Sequence, residues 1–152
     1  MVKDTTGNLF EAKAEALINA VNCVGIMGKG IALQFKQKFP ADYFNAYKIA
    51  CQTGELAIGI VQVYELKNAR TNPRYIINFP TKNHWREPSR IADIESGLQS
   101  LVKAVERYKI KSIAMPALGC GLGGLDYQDV KPLIEQAFVD LVNVEVLLFL
   151  PK

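Results

Sequence analysis

Apolar residues along the chain follow two patterns, which predict strands and helices in alternation. Five short runs are rich in β-branched and aromatic residues and predict β-strands, and a further strand is expected ahead of the first of them. The five runs are residues 16–21, 60–64, 74–79, 112–115 and 144–150. Four segments with apolar residues spaced by three or four positions predict amphipathic helices, at residues 31–39, 40–54, 88–105 and 130–141.

The predicted order of elements is β-β-α-α-β-β-α-β-α-β. Because helices alternate with apolar strands, we predict an α/β fold in which a mixed, mostly parallel sheet of about six strands lies between helices. Residues 67–73 are polar and predict the hairpin connection between the third and fourth strands. The aromatic residues of the first two helices are expected in the core: Phe35, Phe39, Tyr43, Phe44 and Tyr47.

A chain of 152 residues has room for one domain, and we expect a single domain over residues 1–152. Hydrophobic residues make up 49% and charged residues 22%, a balance that excludes a disordered chain. The apolar runs are far shorter than the ~18 residues of a membrane span, and no signal-peptide pattern follows Met1. These observations predict a cytoplasmic protein without a membrane partner.

The cysteines, the histidine and the net charge indicate which disulfides, metal sites and charged partners are to be expected. Cys23, Cys51 and Cys120 form no CxxC pair, so we expect reduced thiols rather than disulfides or zinc ligands. His84 is the single histidine and no carboxylate cluster accompanies it, so we expect neither a metal nor a cofactor. The formal net charge of +3 is compatible with a phosphate-bearing partner but does not require one.

Two glycine-rich loops, residues 23–30 and 117–125, each lie between a predicted strand and a predicted helix. Residues 119–124 match GxGxxG, but a dinucleotide-binding fingerprint belongs to the first βαβ unit of its fold. A Walker motif is excluded because Cys23 and Gly30 stand where it requires glycine and serine or threonine. Glycines ahead of a helix still let backbone N–H groups approach a phosphate closely, and two such loops predict a diphosphate ligand.

Four motifs occur in the order typical of a macrodomain: Gly7-Asn-Leu9, Ala16-Leu-Ile-Asn-Ala-Val-Asn22, Gly25-Ile-Met-Gly-Lys-Gly30 and Met115-Pro-Ala-Leu-Gly-Cys-Gly121. The chain therefore resembles the macrodomain family over nearly its whole length. That resemblance implies a mixed sheet between helices and a site for ADP-ribose. Residues 19–35, together with residues 78–85, most resemble the antitoxin (DarG-type) macrodomains of the DarT/DarG toxin–antitoxin system.

The resemblance to the antitoxin macrodomains implies an enzyme, a DNA ADP-ribosyl glycohydrolase that removes ADP-ribose from thymidine bases of single-stranded DNA. It implies ADP-ribosylated DNA as the substrate, a cognate ADP-ribosyltransferase toxin as a partner, and a monomer. Because the chain stops right after its last predicted strand, we expect it to be an N-terminal module of a longer antitoxin. Two alternatives stay open: a non-catalytic ADP-ribose reader, and a hydrolase of protein-linked ADP-ribose or O-acetyl-ADP-ribose.

By the same resemblance, the two glycine loops enclose the diphosphate and the distal ribose, and Asn8 contacts the adenine. Many macrodomains have Asp at the position of Asn8, so an amide carbonyl replaces a carboxylate in this contact. Cys120 is interpreted as a small packed residue and not as a nucleophile. The residues implied to bind ADP-ribose are Asn8, Leu9, Gly25, Met27, Gly28, Lys29, Gly30, Ala117, Leu118, Gly119, Cys120, Gly121, Leu122 and Gly123.

Lys82 and Asn22 are the catalytic residues that the resemblance implies. Related macrodomain hydrolases, including the terminal ADP-ribose protein glycohydrolase, place a catalytic lysine at the position of Lys82. Either a neutral lysine attacks the anomeric carbon and forms a transient Schiff-base adduct, or an ammonium stabilises the developing charge. Asn22 would hydrogen-bond the distal ribose, with a strand-end Asn that satisfies local backbone as the alternative.

The residues that follow the fourth strand are implied to contact the nucleobase, namely Thr81, His84 and Trp85. Trp85 would stack on a pyrimidine, with core packing as the alternative, and His84 would otherwise lie in an exposed turn. Five basic residues could follow a DNA backbone or belong to an ordinary surface: Lys67, Arg70, Arg74, Arg86 and Arg90.

One departure from the related protein glycohydrolase concerns the catalytic acid. That enzyme has Asp at the position of Gly123, so the acid is absent from this chain. Asp126 and Asp129 are interpreted as capping residues at the start of a helix. A base whose ring nitrogen leaves as a stabilised anion needs less acid assistance than a sugar hydroxyl. The missing acid therefore favours a nucleobase-linked substrate.

Overall fold

A six-stranded sheet forms the centre of the computed structural model, which describes residues 1–67 and 69–151. The strands are β1 (Val2–Thr5), β2 (Ala16–Val21), β3 (Gln62–Glu65), β4 (Tyr75–Pro80), β5 (Ser112–Pro116) and β6 (Glu145–Phe149). Their order across the sheet is β1-β6-β5-β2-β4-β3, and every neighbouring pair is parallel except the antiparallel β3–β4 hairpin. The predicted hairpin connection at 67–73 includes position 68, which lies outside the described residues.

Four helices cover the two faces of the sheet: α1 (Gly30–Lys38), α2 (Ala41–Thr53), α3 (Ile91–Arg107) and α4 (Tyr127–Ala137). Successive side chains of β2 point to opposite faces of the sheet and so contribute to two separate cores. Ile18 packs into the core that α3 and α4 cover, whereas Leu17 and Val21 pack into the core that α1 and α2 cover. Because both faces are buried, the central strands are almost entirely apolar, with Asn19 in β2 and Asn78 in β4 as buried polar exceptions. The prediction of a mixed, mostly parallel sheet between helices is confirmed.

The element boundaries differ from the prediction mainly at α4, which was expected at residues 130–141. The helix begins earlier because the Asp126 side chain accepts a hydrogen bond from the Gln128 N–H at 2.9 Å and caps the first turn. Asp129 lies within that first turn and does not cap it, so the capping interpretation is correct only for Asp126. The helix ends at Ala137, and Phe138 and Leu141 beyond it pack on the core, whereas Val139 and Val142 are exposed.

The predicted aromatic core is confirmed in part. Phe35, Tyr43 and Tyr47 are fully buried between the sheet and helices α1 and α2. Phe39 and Phe44 are only half-buried and lie at the margin of that core.

Parallel pairing brings the carboxyl ends of β2, β4 and β5 to one edge of the sheet. Beyond the strands themselves, the Thr81 N–H donates to the Val21 carbonyl at 2.9 Å, and the Cys23 N–H donates to the Asn83 carbonyl at 3.0 Å. The ladder between β2 and β4 therefore continues into the two segments that leave the sheet. This edge is where an α/β sheet of this kind places its ligand site. Among the described residues, no helix is long and apolar enough to cross a membrane.

Candidate functional site

A cleft of about 680 Å³ opens at this edge of the sheet. Its walls are the first glycine loop (residues 23–30), the second glycine loop (residues 117–125) and the segment that follows β4 (residues 81–90, here called the Lys82 segment). Residues of the short 3₁₀ turn Leu9–Glu11 and the residues that follow β6 also line the cleft. A volume of this size accommodates a ligand as large as a dinucleotide.

Asn22 holds the first glycine loop through its side-chain amide. Its Nδ2 donates to the Ile26 carbonyl at 2.8 Å, and its Oδ1 accepts from the Val24 N–H at 3.1 Å. The hydroxyl of Tyr47, which is fully buried, lies 2.8 Å from the same Oδ1 and 2.9 Å from the Asn22 carbonyl oxygen. The Asn22 amide thus hydrogen-bonds the backbone of the loop. Because Asn22 lines the cleft, the second hydrogen on its Nδ2 stays available for a ligand.

The first glycine loop leads directly into the N-terminus of α1. No side chain caps the first turn of α1, so its backbone N–H groups are free to bind an anion at the cleft. Gly30 has a φ of +59°, which a residue with a side chain rarely adopts. An uncapped helix N-terminus and a glycine loop in one wall are the expected surroundings of a phosphate.

The second glycine loop is a tightly folded turn. Gly119 has a φ of +75°, and its carbonyl accepts from the Leu125 N–H at 2.9 Å. At Gly123 a Cβ atom would overlap the Ser89 hydroxyl and lie 2.5 Å from the Gly119 carbonyl oxygen. Position 123 therefore has no room for a side chain, which gives a physical reason for the missing acid.

Lys82 lines the cleft between the two glycine loops and is half-buried. The hydrogen bonds of Thr81 and Asn83 to the β2 end fix the backbone on either side of it. In the part of the chain that the structure describes, no carboxylate lies within 4 Å of its ammonium group. Its side chain is consequently free to engage a ligand in the cleft.

Trp85 forms an exposed aromatic surface beside Lys82. The indole lines the cleft and is 42% exposed, so the core-packing alternative is wrong. The Arg86 guanidinium lies over the ring at 4.5 Å, and the His84 ring centroid is 5.0 Å away on the same surface. His84 is half-buried, and its Nδ1 accepts from the Arg86 N–H at 3.1 Å, so it shapes the turn that presents Trp85.

Asn8 also lines the cleft and caps the 3₁₀ turn Leu9–Glu11. Its Oδ1 accepts from the Phe10 N–H at 2.9 Å, which leaves a second acceptor site on this oxygen. Leu9 is buried below it and also lines the cleft. Asn8 is therefore held by the turn with part of its amide still free.

Most of the predicted site residues are brought together here, and a few are not. Those that line the cleft are Asn8, Leu9, Asn22, Gly28, Lys29, Gly30, Thr81, Lys82, Trp85, Ala117, Gly119, Gly121, Leu122 and Gly123. Five predicted residues lie behind it: Gly25, Met27, His84, Leu118 and Cys120.

The physical reasons for four of these five are local packing, whereas the His84 ring is engaged in its own turn by the Arg86 N–H. Met27 and Leu118 are apolar and are buried in the two cores. Gly25 is buried beside the Lys48 backbone, and the Cys120 thiol donates to the Leu118 carbonyl at 3.6 Å. Their backbones shape the loops without presenting side chains to the cleft.

Sequence reasoning missed the wall that the C-terminal residues build. Phe149, Leu150 and Pro151 line the cleft because β6 runs parallel to β5 and ends at the same edge. The parallel pairing itself was the signal that could have found them. Ile26, which was predicted only as part of the first glycine loop, lines the cleft with an exposed side chain.

The thiols near the site are poorly suited to act as nucleophiles. Burial raises the pKa of Cys23 to about 11, with a smaller contribution from Cys51. Burial likewise raises the pKa of Cys120 to about 11, with a smaller contribution from Asp126. Both thiols are protonated at neutral pH. The described residues contain no group of three or more metal-ligating side chains.

The sequence of this chain was compared with known protein families and proteins. The Macro domain family matches residues 18–134. A protein of Thermus aquaticus named DNA ADP-ribosyl glycohydrolase is 49% identical over 99% of this chain. The chain spans only 41% of the length of that relative and 43% of a Mycobacterium tuberculosis protein of the same name.

Two solved structures are also closely similar. The macrodomain of Mycobacterium tuberculosis DarG superposes with a TM-score of 0.95 at 45% identity and covers 100% of this chain and 99% of that one. Thermosipho africanus DarTG, solved in complex with ADP-ribose, superposes with a TM-score of 0.91 at 36% identity, over 99% of this chain and 41% of that one.

Proposed function

The chain belongs to the macrodomain family, and from that premise we propose that it is a DNA ADP-ribosyl glycohydrolase acting on ADP-ribosylated thymidine. The observation that carries the proposal is the position of Lys82, a half-buried lysine that lines the same cleft of nucleotide size as the two glycine loops. The names of the most similar relatives support the same activity. A reader of ADP-ribose would need the loops but not a positioned lysine.

The diphosphate of ADP-ribose lies between the two glycine loops in this proposal. Backbone N–H groups of the loops and the uncapped first turn of α1 donate to the phosphate oxygens. The adenosine extends toward Asn8 and the residues after β6, and the distal ribose extends toward Asn22 and Lys82. The relative solved with ADP-ribose supports this ligand.

The reaction breaks the bond between the anomeric carbon and a ring nitrogen of the base. Lys82 acts at the anomeric centre, either as a transient nucleophile or as an ammonium that stabilises the ring-opened or leaving-group oxygen. Water supplies the hydroxyl that ends on the anomeric carbon, and its proton ends on the departing base. Because a pyrimidine leaves as a stabilised anion, a site without room for an acid at Gly123 is sufficient for this substrate.

Trp85 receives the base in this arrangement. Its exposed ring lines the same cleft as Lys82, and the face of the ring that Arg86 does not cover is available to the base. Thr81 is buried beneath the same position, where its hydroxyl lies 3.5 Å from the Val21 carbonyl. Stacking of this kind tolerates any base, so thymine recognition requires further contacts from the Lys82 segment.

The biological setting we propose is reversal of a toxin's modification. A DNA ADP-ribosyl glycohydrolase is needed where a transferase modifies DNA, and a Thermosipho africanus relative, 35% identical over 95% of this chain, is named a DNA ADP-ribosyl transferase-DNA ADP-ribosyl glycohydrolase fusion protein. We propose that this chain is the N-terminal module of an antitoxin that acts as a monomer in the cytoplasm beside its cognate toxin. The relatives are more than twice its length, which leaves room for a toxin-binding region.

The test is an incubation with a thymidine-ADP-ribosylated single-stranded oligonucleotide, with release of ADP-ribose followed by chromatography. Wild type and Lys103→Ala, which changes an exposed lysine of α3 away from the cleft, are expected to release ADP-ribose at equal rates. A glutamate-linked ADP-ribosyl peptide serves as the second substrate and is expected to stay intact. Binding without release from DNA would identify a reader, and release from the peptide alone would identify a protein hydrolase.

A further inference from the structure

Ser89 lies behind the second glycine loop, and the catalytic route described above does not use it. The residue is 6% exposed, and its hydroxyl oxygen is buried without a hydrogen-bond partner in residues 1–67 and 69–151. A buried hydroxyl without a partner is costly, so an unpaired one requires a reason.

The surroundings of Ser89 point to the loop that would bind the phosphates. Its N–H donates to the Gly123 carbonyl at 3.0 Å. Its hydroxyl and the Gly119 carbonyl oxygen flank the same point, the place where a Cβ on Gly123 would lie. The Gly119 carbonyl already accepts one hydrogen bond, from the Leu125 N–H, and can accept a second.

Ser89 also belongs to the Lys82 segment, whose two ends are fastened to different loops. At its start, the Asn83 carbonyl accepts from Cys23, the first residue of the first glycine loop. At its end, Ser89 donates to Gly123 in the second glycine loop. The segment that carries Lys82 therefore spans the two loops that would hold the diphosphate.

We propose that Ser89 is a positioning residue that couples the second glycine loop to Lys82. When the diphosphate draws the loop inward, the Ser89 hydroxyl donates to the Gly119 carbonyl and fixes the Lys82 segment relative to the loop. Lys82 is then set against the anomeric carbon only when the phosphates are in place. This inference rests on the proposed glycohydrolase activity.

The proposal predicts opposite effects of Ser89→Ala on stability and on turnover. Alanine keeps the Cβ that lies against the backbone of the second glycine loop, and it removes only the unpaired hydroxyl. The melting temperature should therefore stay constant or rise. With the bound-state hydrogen bond missing, kcat on ADP-ribosylated DNA should fall about tenfold while KM changes less than twofold.

Ser100→Ala is the matched control. The Ser100 hydroxyl accepts from the Val61 N–H at 3.1 Å on the far side of α3, and the residue does not line the cleft. This variant loses a satisfied hydrogen bond, so its melting temperature should fall while kcat stays at the wild-type value. A wild-type kcat in Ser89→Ala, or a fall in kcat that only accompanies a loss of folded protein, overturns the proposal.

A second measurement separates the failure of this inference from the failure of the proposed function. Free ADP-ribose is titrated into ¹⁵N-labelled wild type and Ser89→Ala, and the Trp85 indole N–H is followed together with the amides of the second glycine loop. In wild type both sets of signals should shift, and in Ser89→Ala only the loop signals should shift. Identical indole shifts in the two proteins overturn the coupling, even if wild type proves to have no turnover.

Discussion

Lys82 is the residue at which binding and chemistry are expected to separate. Lys82→Ala should lower kcat on ADP-ribosylated DNA by about 100-fold or more, because it removes the group that acts at the anomeric carbon. The affinity for free ADP-ribose should change by less than about threefold, because the glycine loops and the α1 N-terminus supply the phosphate contacts. Single-turnover kinetics and calorimetry measure the two effects. Wild-type turnover in the variant would remove Lys82 from the mechanism.

Lys82→Arg distinguishes the two roles that are open to the lysine. A guanidinium keeps the positive charge but cannot become a neutral nucleophile at any usable pH. Activity should vanish if an adduct forms and should persist in part if the role is electrostatic. Borohydride reduction during turnover of the wild type traps an adduct, so mass spectrometry of the protein provides an independent answer.

Trp85 is expected to contact the nucleobase and not the ADP-ribose. Trp85→Ala should lower kcat/KM on ADP-ribosylated DNA by about 10-fold, within the range expected from loss of one base stack. Trp85→Phe keeps an aromatic face and should retain most of the activity, and both variants should bind free ADP-ribose as wild type does. A wild-type kcat/KM in the alanine variant would mean that the base leaves in another direction.

At the scale of elements, helix α2 supports the start of the first glycine loop through the Tyr47 hydroxyl, which hydrogen-bonds Asn22. Tyr47→Phe removes the hydrogen bonds to the Asn22 carbonyl and side chain, both of which are buried. The free energy of unfolding should fall by about 1–2 kcal/mol, and ADP-ribose affinity should weaken because the loop is no longer held. Denaturant unfolding and calorimetry measure the two effects.

Tyr43→Phe provides the comparison on the same helix. The Tyr43 hydroxyl bonds to Asn19 and Asn78 within the sheet, at 2.8 and 2.6 Å, and not to the first glycine loop. The variant should lose comparable stability while it keeps its ADP-ribose affinity. Equal losses of affinity in the two variants would contradict a specific role of Tyr47.

The sequence predicted those elements whose pattern is set locally. Buried strands such as β2 and β4 are apolar runs interrupted by one asparagine each, and the apolar stripe of α3 repeats every three or four residues, so these elements were found with nearly correct bounds. The start of α4 was placed three residues too late because its cap, Asp126, lies outside the apolar stripe. Capping depends on one side-chain hydrogen bond, which periodicity does not detect.

The sequence predicted the parts of the site that are recognisable within a single loop, but not the contacts between distant segments. The glycine loops, Asn22 and Lys82 follow strands, and parallel pairing brings strand ends together, so their meeting was predictable in principle. The place of Ser89 was not, because its contacts with Gly119 and Gly123 join positions 30 or more residues apart. Nothing in the local sequence distinguishes a buried serine of this kind from an exposed one.

For the molecule as a whole, a small polar cluster ties the edge strand β1 to helix α4. Asp4 accepts from the Lys131 ammonium at 2.7 Å and from the Tyr127 hydroxyl at 2.8 Å. The hydrogen bond from Lys131, followed by that from Tyr127, lowers the pKa of Asp4 below its ordinary value of 3.8. A carboxylate with a depressed pKa stabilises the folded state above that ordinary value, and the contribution is lost as the pH falls through the folded-state pKa.

Asp4→Asn should therefore lower the melting temperature at pH 7 but not in strong acid. The difference between wild type and variant should shrink as the pH falls below 3.8, and thermal unfolding followed by circular dichroism measures it. Asp42→Asn is the control, since its partner Lys67 lies at 3.8 Å and the two side chains are 69% and 77% exposed. Such a pair contributes little, so that variant should unfold as wild type does at every pH.

The way the Lys82 segment is fastened bears on how the proposed activity can diversify. Its ends are hydrogen-bonded to the sheet and to the second glycine loop, while its middle, residues 84–88, projects side chains without being held by the core. Exchange of residues in the middle can alter which leaving group is accepted and still leave the lysine where it is. Substitutions in this short stretch can therefore change the nucleobase, or the type of group to which ADP-ribose is linked, with little effect on the stability of the fold.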